Sequence, residues 1–421
     1  MFERRQPIPV SEAVAKIMEH DIHGETEWVA IEDSYGRFLA ENVAATCDVP
    51  HFDRSPYDGF AIRSIDTFHA SQANPVEFEI IDHIGAGMVS DKTVHQYQAV
   101  RIMTGAMMPD GADAVAMFEV AHTYEKNGRP FMSLKRKFHK GENVSFRAED
   151  AKEGEILVKR GTMINPGVLA VLAVFGYKHV PAAKKPVVGL FAIGTELLEV
   201  EEPLVPGKIR NSNAHMIAGQ IVRAGGAVQY FGKLPDEFDT CFEAIQNAIK
   251  KVDILLTTGG VSVGDFDYLP EIYQKLGVEV LFNKVAMRPG SVTTVACASG
   301  KLLFGLSGNP SACYVGFELF ARPIIRRMLF SDKPHLRKEK AILEADFPKP
   351  NPFTRFVRSH VFIEGGRLKT VPSGVDKSNI IMSLAGANAL TILPGGTRGF
   401  TAGSEVEILL LEDQSGSEWP W

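Results

Sequence analysis

Cysteine is scarce in this sequence, and long apolar runs are missing. The four cysteines, Cys47, Cys241, Cys297 and Cys313, form no Cys-x-x-Cys pair and have no histidines at the spacing of a zinc site. This scatter predicts reduced thiols with a structural role. The longest apolar stretch, residues 167–177, is much shorter than the roughly 18 to 20 residues that span a bilayer, and the N-terminus lacks the apolar region of a signal peptide. We therefore expect a cytoplasmic protein with no membrane segment.

An excess of basic charge is also absent. The chain has 45 lysines and arginines against 51 aspartates and glutamates, a net charge of −6. We therefore expect no broad positive surface for nucleic acid or membrane, and any anion must be bound by a local site. Hydrophobic residues make up 45% and charged residues 23% of the 421 positions, as in soluble globular proteins. At the usual size of ~150 residues per domain, a chain of this length predicts roughly three or four domains.

The stretch ILLTTGGVSVGDFDY, residues 254–268, combines an apolar strand with a polar, glycine-rich loop. The β-branched run Ile254–Thr258 is typical of a strand that is covered on both faces of a parallel sheet. Glycine permits a positive φ and close approach of the backbone, so the loop can point several N–H groups at an anion. The candidate phosphate-binding residues in this loop are Gly259, Gly260, Ser262 and Gly264.

Two carboxylates in the same loop, Asp265 and Asp267, would repel a phosphate unless a cation lay between them. Mg²⁺ suits this arrangement, because it commonly bridges one or two carboxylates to substrate phosphates. A plainer alternative stays open, in which the loop is a solvated turn and Asp267 caps a helix that begins near Tyr268.

Residues 184–330 alternate between strand and helix patterns, which predicts an α/β domain with a parallel sheet and crossover helices. Ligands of such sheets bind beyond the carboxyl ends of the strands. Glu196, Asp236 and Asp267 each follow a predicted strand, so we expect them to share one crevice and to bind Mg²⁺. The alternative is a set of unrelated loop carboxylates.

Groups that attract a phosphate are also expected at the carboxyl ends of these strands. The candidates are the side chains of Lys284 and Arg288 and the backbone N–H groups of the segment GNPSA. Within that segment Gly308, Asn309 and Ser311 lie at the start of a predicted helix, which favours an anion.

The remaining sequence divides into regions of different pattern. Residues 1–46 carry an N-terminal helix and belong with the linking segment 147–183. Residues 47–146 show the turns and short strands of a β-rich domain, and residues 331–421 form a small C-terminal β domain. A second short helix is predicted over residues 34–42.

Candidate ligands also occur outside the α/β domain. Asp58 lies among turn-forming residues in the segment DVPHFDRSPYDGFAIR. Thr104 follows a predicted strand and begins a loop in the segment VRIMTGAMMPDGADAV. Asp58 can instead stabilise a turn, and Thr104 can simply end a strand. In the C-terminal domain the candidate ligand groups are Arg355, Arg358, Lys377 and Ser378, and exposure to solvent is the plainer explanation of each.

Together these stretches resemble the molybdopterin molybdenumtransferases, the MoeA family, which includes the E domain of gephyrin. The resemblance covers essentially the whole chain and rests on FDRSPYDGFAIR, RIMTGAMMPDGADAV, RAED, GTEL, IRNSN, TTGGVSVGDFDY and LSGNPSA. It implies a MogA-like α/β central domain in an elongated multidomain chain, with additional β-rich domains and a small C-terminal domain similar to a β-barrel.

The resemblance also implies a function, which is insertion of molybdate into the dithiolene of adenylated molybdopterin with Mg²⁺-dependent release of AMP. The family forms homodimers in which the α/β domain of one subunit faces domains of the other. The resemblance places Asp267, Glu196 and Asp236 in the catalytic crevice and Asp58, Thr104 and Asp150 in the facing regions, with Arg358 and Ser378 contributed by the C-terminal domain. The adenylating enzyme and other molybdenum cofactor proteins are the implied partners.

The sequence departs from the common family pattern in two places. Arg288, Pro289, Gly290 and Ser291 stand where many relatives have Lys-Pro-Gly followed by lysine or an apolar residue, and Ser55-Pro56-Tyr57 replaces Ser-Ala-Met. Two alternative functions stay open. One is a molybdopterin adenylyltransferase, because that enzyme shares the α/β module, and the other is a scaffold that keeps the fold without catalysis.

Overall fold

The computed structural model describes residues 6–20, 22–260 and 268–421, which fold into two compact units. The first unit comprises the chain up to Glu41, Lys159–Ala170 and Lys178–Trp421, and the second comprises Asn42–Val158 and Val171–Tyr177. The chain therefore begins in the first unit, forms most of the second unit and then returns to the first. Within the described ranges, every helix is too short or too polar to span a bilayer.

The first unit begins with an amphipathic helix, α1 (Val10–Met18), and a short strand, β1 (Thr26–Ala30). Four apolar residues of α1 are buried at helical spacing, as its sequence pattern predicts. The helix predicted over residues 34–42 is wrong. A single 3₁₀ turn, Ile31–Asp33, precedes this segment. Phe38 and Leu39 have extended backbone, since each forms an isolated β-bridge, and both side chains are buried.

The second unit is built on a six-stranded sheet in the order β6-β3-β5-β4-β8-β7. Its strands, with the small pair β2 and β9, are β2 (Val43–Ala44), β3 (Gly59–Ile62), β4 (Val76–Ile84), β5 (Gln98–Ile102), β6 (Ala114–Met117), β7 (Ala121–Lys126), β8 (Arg129–Leu134) and β9 (Ile156–Val158). Phe60, Phe78 and Phe138 form the centre of its core. The helix α2 (Pro166–Val174) follows, and its last residues belong to this unit.

The α/β part of the first unit begins after β10 (His179–Ala183), which pairs with β1. Its strands are β11 (Val187–Ile193), β12 (Leu197–Leu198), β13 (Ile209–Arg210), β14 (Ala227–Leu234), β15 (Ile254–Thr258), β16 (Glu279–Phe282), β17 (Met287–Arg288), β18 (Thr294–Ala298) and β19 (Lys301–Leu306). Its helices are α3 (Ser212–Ala224), α4 (Phe238–Ile249), α5 (Leu269–Lys275), α6 (Pro310–Gly316) and α7 (Arg322–Met328), with a π turn, Phe317–Ala321, between the last two.

The main sheet of this part has the order β14-β11-β15-β19-β18-β16. The predicted α/β fold is confirmed, and its parallel sheet also contains an antiparallel strand, β18. β14, β11, β15 and β19 are parallel, whereas β18 is antiparallel to both β19 and β16. The cause is a tight hairpin between β18 and β19, in which Ser299 and Gly300 have φ of 50° and 78°, as a two-residue hairpin turn of this hand requires.

The C-terminal part of the first unit is a closed five-stranded barrel, as the family resemblance implies. Its elements are β20 (Arg337–Leu343), β21 (Thr354–Glu364), β22 (Arg367–Pro372), α8 (Met382–Ala385), β23 (Ala389–Leu393) and β24 (Glu405–Leu410). The strands follow the order β21-β22-β20-β24-β23, and β23 pairs with β21 to close the ring. The short strand β17 adds to β21 in parallel, so the α/β part and the barrel are joined by backbone hydrogen bonds.

Candidate functional site

Loops at the carboxyl ends of three neighbouring parallel strands enclose a crevice of about 520 Å³. β11, β15 and β19 pair in that order, so their C-terminal ends meet at one edge of the sheet. The loops after them line the crevice with Gly194, Glu196, Gly259, Gly260 and residues 307–310. Ligands of open α/β sheets bind at such an edge.

Two of the three carboxylates predicted as metal ligands line this crevice. They are Glu196 and Asp236. Asp236 Oδ2 accepts hydrogen bonds from the N–H and the hydroxyl of Thr195, at 2.9 and 3.0 Å. The loop after β11 therefore orients the carboxylate that the loop after β14 supplies.

The third predicted ligand, Asp267, lies outside the described residues, and so do Ser262 and Gly264. Among the residues that the structure does describe, no three His, Cys, Asp or Glu side chains form a group that could hold a metal ion. Glu196 and Asp236 nevertheless supply the donor chemistry that Mg²⁺ requires, because this ion takes one or two carboxylates and completes its shell with water and phosphate oxygens.

Glycine is required at the end of β15, where the loop passes close to β11. Gly259 has a φ of 91°, and a Cβ atom there would lie 2.2 Å from the carbonyl oxygen of Ile193. Gly260 follows with a φ of 70°. This pair turns the chain along the crevice without side chains, which leaves the backbone open to close approach by a ligand.

Asn213 lies near the start of α3 and lines the crevice. The cap of α3 is Asn211, whose side chain accepts a hydrogen bond from the N–H of Ala214. Asn213 Nδ2 donates to the hydroxyl of Thr258 and to the carbonyl of Gly308, both at 2.8 Å. This side chain therefore joins the ends of β15 and β19 at the floor of the crevice.

The start of α6 forms another wall of the crevice. Gly308, Asn309 and Pro310 line it, and Asn309 is the N-cap residue with Pro310 at the first helical position, as predicted. Ser311 is buried, and its hydroxyl donates to the carbonyl of Ile380 at 2.6 Å. Ser311 therefore contacts the barrel part rather than the crevice.

A second cavity, of about 610 Å³, is strongly basic. Among the residues that the structure describes, its lining carries four cationic side chains and one carboxylate, from Arg288, Lys349, Arg355, Lys377 and Asp376. The parallel pairing of β17 with β21 places Arg288 directly opposite Arg355. Like charges so close together are stabilised by an anion, so this cavity suits a small oxyanion.

The crevice and the basic cavity are neighbours within the first unit. Ser291 lines the basic cavity, and the next residue, Val292, lines the crevice. On the other side, Pro310 lines the crevice, and the N–H of Ser311 donates to the carbonyl of Ser378, which lines the basic cavity. A wall one or two residues thick therefore separates them.

Arg358 is buried rather than exposed to the basic cavity. Its Nη1 donates to Asp376 Oδ1 at 2.8 Å, and its Nη2 donates to the carbonyls of Val375 and Lys377 at 3.4 and 3.3 Å. Burial lowers the pKa of the Arg358 guanidinium, and the neighbouring Asp376 carboxylate opposes this shift. Arg358 therefore holds the loop that lines the cavity.

Lys284 is half-buried between β16 and β17, and its carbonyl accepts a hydrogen bond from the N–H of Ile8. It does not occur among the described residues that line the crevice or the basic cavity.

In the second unit, Asp58 and Thr104 are brought into direct contact. Asp58 Oδ1 accepts hydrogen bonds from the N–H and the hydroxyl of Thr104, at 2.7 and 2.8 Å. These bonds, the backbone one first, lower the pKa of Asp58 below its ordinary value. Asp150 is exposed, and its N–H donates to the carbonyl of Val49.

Sequence reasoning missed Lys349 and Asp376 in the basic cavity. Lys349 lies in the proline-rich segment PKPNP, and Asp376 lies in the turn SGVDKSN. Neither segment has a periodic pattern, so nothing in the sequence indicates that a barrel brings them together beside Arg355.

Comparison with protein families gives three matches along the chain. Residues 8–176 match the MoeA N-terminal region (domain I and II), residues 189–327 match a probable molybdopterin binding domain, and residues 340–411 match the MoeA C-terminal region (domain IV).

Curated relatives cover the whole chain. A protein of Bacillus subtilis (strain 168) named molybdopterin molybdenumtransferase is 61% identical over 421 residues, which is 100% of this chain and 98% of that protein. A protein of the same name from Staphylococcus aureus (strain Mu50) is 50% identical over 99% of both chains. Among solved structures, the molybdopterin biosynthesis moeA protein of Pyrococcus horikoshii OT3 is similar at a TM-score of 0.82 and 31% identity, covering 96% of this chain and 100% of that one.

Proposed function

This chain belongs to the molybdopterin molybdenumtransferase family, and we propose that it inserts molybdenum from molybdate into adenylated molybdopterin, with Mg²⁺-dependent release of AMP. The observation that supports this proposal is the pair of neighbouring cavities in the first unit. The crevice suits a phosphorylated ligand, and the basic cavity suits a small dianion such as molybdate.

The reaction requires two chemical changes. Water cleaves the phosphoanhydride of the adenylated pterin, which releases AMP. Each of the two dithiolene thiols then displaces one oxo group of molybdate, and with uptake of two protons both oxo groups leave as water. Because both reactants are anions, they approach each other only where fixed cations and N–H donors are already in place.

In the crevice, we propose that the backbone around Gly259, Gly260, Gly308 and Asn309 binds the phosphates of the adenylated pterin. Glu196 and Asp236 would hold Mg²⁺, with Asp267 as the third expected ligand. Bound Mg²⁺ would neutralise charge on the phosphates. Thr195 keeps Asp236 in position through its two hydrogen bonds, whatever the occupant.

In the basic cavity, we propose that Arg288 and Ser378 bind the oxyanion together with Lys349 and Lys377. The guanidinium of Arg288 presents paired N–H donors, which suit the oxygens of a tetrahedral oxyanion. Arg358 supports this cavity through Asp376 instead of contacting the anion. We propose no contact between Lys284 and either anion.

In the second unit, we expect Asp58, Thr104 and Asp150 to act on the pterin. We also propose that the protein is a homodimer, as the family resemblance implies. Light scattering on the purified chain tests this state, because a dimer has twice the chain mass of 46.1 kDa.

The adenylyltransferase alternative requires the crevice alone. The basic cavity favours the transferase instead, because it is formed partly by the barrel and supplies a separate place for a second anion. A scaffold without catalysis would require neither cavity.

The test is AMP release from purified adenylated molybdopterin, measured with and without molybdate and with and without Mg²⁺. We expect release to require Mg²⁺ and to accelerate at least tenfold with molybdate, with molybdenum recovered in the pterin. Equal AMP release without molybdate, and no metal in the product, would contradict the proposed transfer. Formation of adenylated pterin from ATP would favour the adenylyltransferase.

A further inference from the structure

The loop that lines the basic cavity, residues 373–380, is attached at both of its ends. We call it the Asp376 loop. At one end, Ser373 donates its N–H and its hydroxyl to the carbonyl of Arg358, at 3.0 and 2.9 Å. At the other, Ser311 donates its N–H to the carbonyl of Ser378 and its hydroxyl to the carbonyl of Ile380. The loop therefore lies between the barrel and α6.

Asp376 is the buried residue at the centre of this loop, with 5% of its side chain exposed. Its two carboxylate oxygens bind different arginines, Oδ2 to Arg355 Nη1 at 2.7 Å and Oδ1 to Arg358 Nη1 at 2.8 Å. Its carbonyl also accepts a hydrogen bond from Lys349 Nζ at 2.6 Å. Three cationic side chains therefore converge on one residue.

These contacts create an apparent conflict for a cavity that binds an anion. A carboxylate in the lining repels an oxyanion and uses part of the positive charge of Arg355 and Lys349. A residue with this cost is explained if it holds the loop in the conformation that binds the ligand.

We propose that Asp376 is a positioning residue for the oxyanion site, which it serves by holding Arg355, Lys349 and the loop residues Lys377 and Ser378 in their binding arrangement. This inference rests on the proposed role of the cavity in binding molybdate. It makes a prediction opposite in sign to that of simple electrostatics. If Asp376 were only a negative charge, Asp376→Asn would strengthen molybdate binding, whereas loss of positioning weakens it.

The asparagine variant separates these two effects because it has nearly the same shape. Its amide retains one oxygen, which can accept from one arginine, but its NH₂ group faces the other arginine as donor against donor. One guanidinium then loses its charged partner while it keeps its other hydrogen bonds, and the loop loses one attachment. We expect the dissociation constant for sodium molybdate, measured by calorimetry on the full chain, to rise at least fivefold.

A matched control is Glu344→Gln. Glu344 belongs to the same barrel and pairs with Lys369 at 2.9 Å, and Lys369 keeps its second partner, Glu364, at 2.6 Å. This variant makes the same change in net charge outside the cavity, so its molybdate affinity should stay within twofold of the parent. Tighter binding by Asp376→Asn would overturn the positioning role.

A second measurement does not depend on molybdate. In the free protein, hydrogen exchange of the amides in residues 373–380 and of Ser311 should be at least tenfold faster in Asp376→Asn, while the amides of β24 remain unchanged. Ser311→Ala, which removes one hydrogen bond from the same loop and alters no charge, should give a smaller increase in the same segment and a smaller loss of affinity.

The outcomes distinguish this inference from the proposed function. If the parent chain binds no molybdate, the proposed oxyanion site is wrong, and the exchange measurement alone decides whether Asp376 positions the loop. If exchange in the loop is unchanged in Asp376→Asn, the positioning role is wrong even if the affinity falls. If affinity for AMP falls as much as affinity for molybdate, the residue supports the fold in general, and the specific role is also wrong.

Discussion

At the scale of single residues, the contact between Asp58 and Thr104 shows how a short loop fixes the charge of a candidate functional group. Both donors of Thr104, its N–H and its hydroxyl, bind the same carboxylate oxygen. Hydrogen bonds to the ionised form stabilise it, which lowers the pKa of Asp58. Both hydrogen bonds favour the ionised form of Asp58, which accepts hydrogen bonds and has no proton to donate.

We expect Thr104→Val to raise the pKa of Asp58 only part of the way to its ordinary value, because the backbone N–H is the larger cause and remains. Carboxyl-detected NMR titration measures this shift. The sign for stability follows from the lowered pKa: the contribution of Asp58 is present above its unfolded pKa and is lost as pH falls through its folded pKa. Asp82 in the same sheet, whose pKa is lowered mainly by Ser90, should be unaffected. An unchanged Asp58 pKa would show that the hydroxyl contributes nothing.

The position of a residue can be inferred from sequence where backbone topology decides it. Glu196 and Asp236 reach one crevice because each follows a strand of the same parallel set. Arg358 differs, since its character as a cation suggested a ligand contact while its position on β21 buries it beneath Asp376. Burial of that kind depends on the pairing partners of a strand, which a single sequence does not reveal.

At the scale of elements, the strand β15 and the loop after it depend on one glycine. The run Ile254–Thr258 is a buried strand at the centre of the sheet, as its apolar, β-branched sequence predicts. The sequence also predicts the glycine-rich turn, but the reason for Gly259 is visible only in the fold. The backbone of β11 passes so close that a Cβ atom would meet the Ile193 carbonyl.

Gly259→Ala should therefore destabilise the protein and deform the crevice. The loss in free energy of unfolding has two causes. The alanine must adopt a positive φ, which costs roughly 1 to 3 kcal/mol, and its Cβ atom displaces the loop from β11. Gly277→Ala is the matched control, because Gly277 also has a positive φ, 63°, but a Cβ atom there would meet no atom within 4 Å. Urea unfolding should show the larger loss for Gly259→Ala, and AMP affinity should fall in that variant alone. Equal losses would mean that the close contact with β11 relaxes without cost.

Two features at this scale lie beyond what local pattern indicates. The segment 34–42, for which the sequence predicts a helix, is extended, and the parallel sheet of the α/β part also contains an antiparallel strand. In both cases the observed structure follows from partners far away in sequence or from turn geometry. Phe38 and Leu39 form bridges to distant segments, and the turn at Ser299 and Gly300 reverses the direction of β18.

At the scale of the whole molecule, single side chains attach the barrel to α7 within the first unit. Arg322 at the start of α7 donates to the carbonyl of Pro334 at 3.0 Å, and the next residue, His335, is buried with its ring edge-on to Trp419. Alternation of apolar and polar residues identified the barrel strands in the sequence. It gave no sign of this attachment, because the attachment consists of single side chains between elements.

His335 should make this attachment sensitive to acid. Burial, with a smaller effect of Arg322, lowers the pKa of His335 from 6.5 to about 4. In the window between these values the unfolded chain binds a proton that the folded chain does not, so stability falls as pH falls. From this residue, the loss in free energy of unfolding at pH 4.5 relative to pH 7 should be on the order of 2 kcal/mol. His335→Phe keeps a ring beside Trp419 and cannot titrate, so this variant should lack the loss.

Urea unfolding followed by tryptophan fluorescence at the two pH values measures the difference, with His360→Phe at an exposed position of the barrel as control. A loss of equal size in the parent and in His335→Phe would assign the acid sensitivity to other groups and would contradict this role of His335.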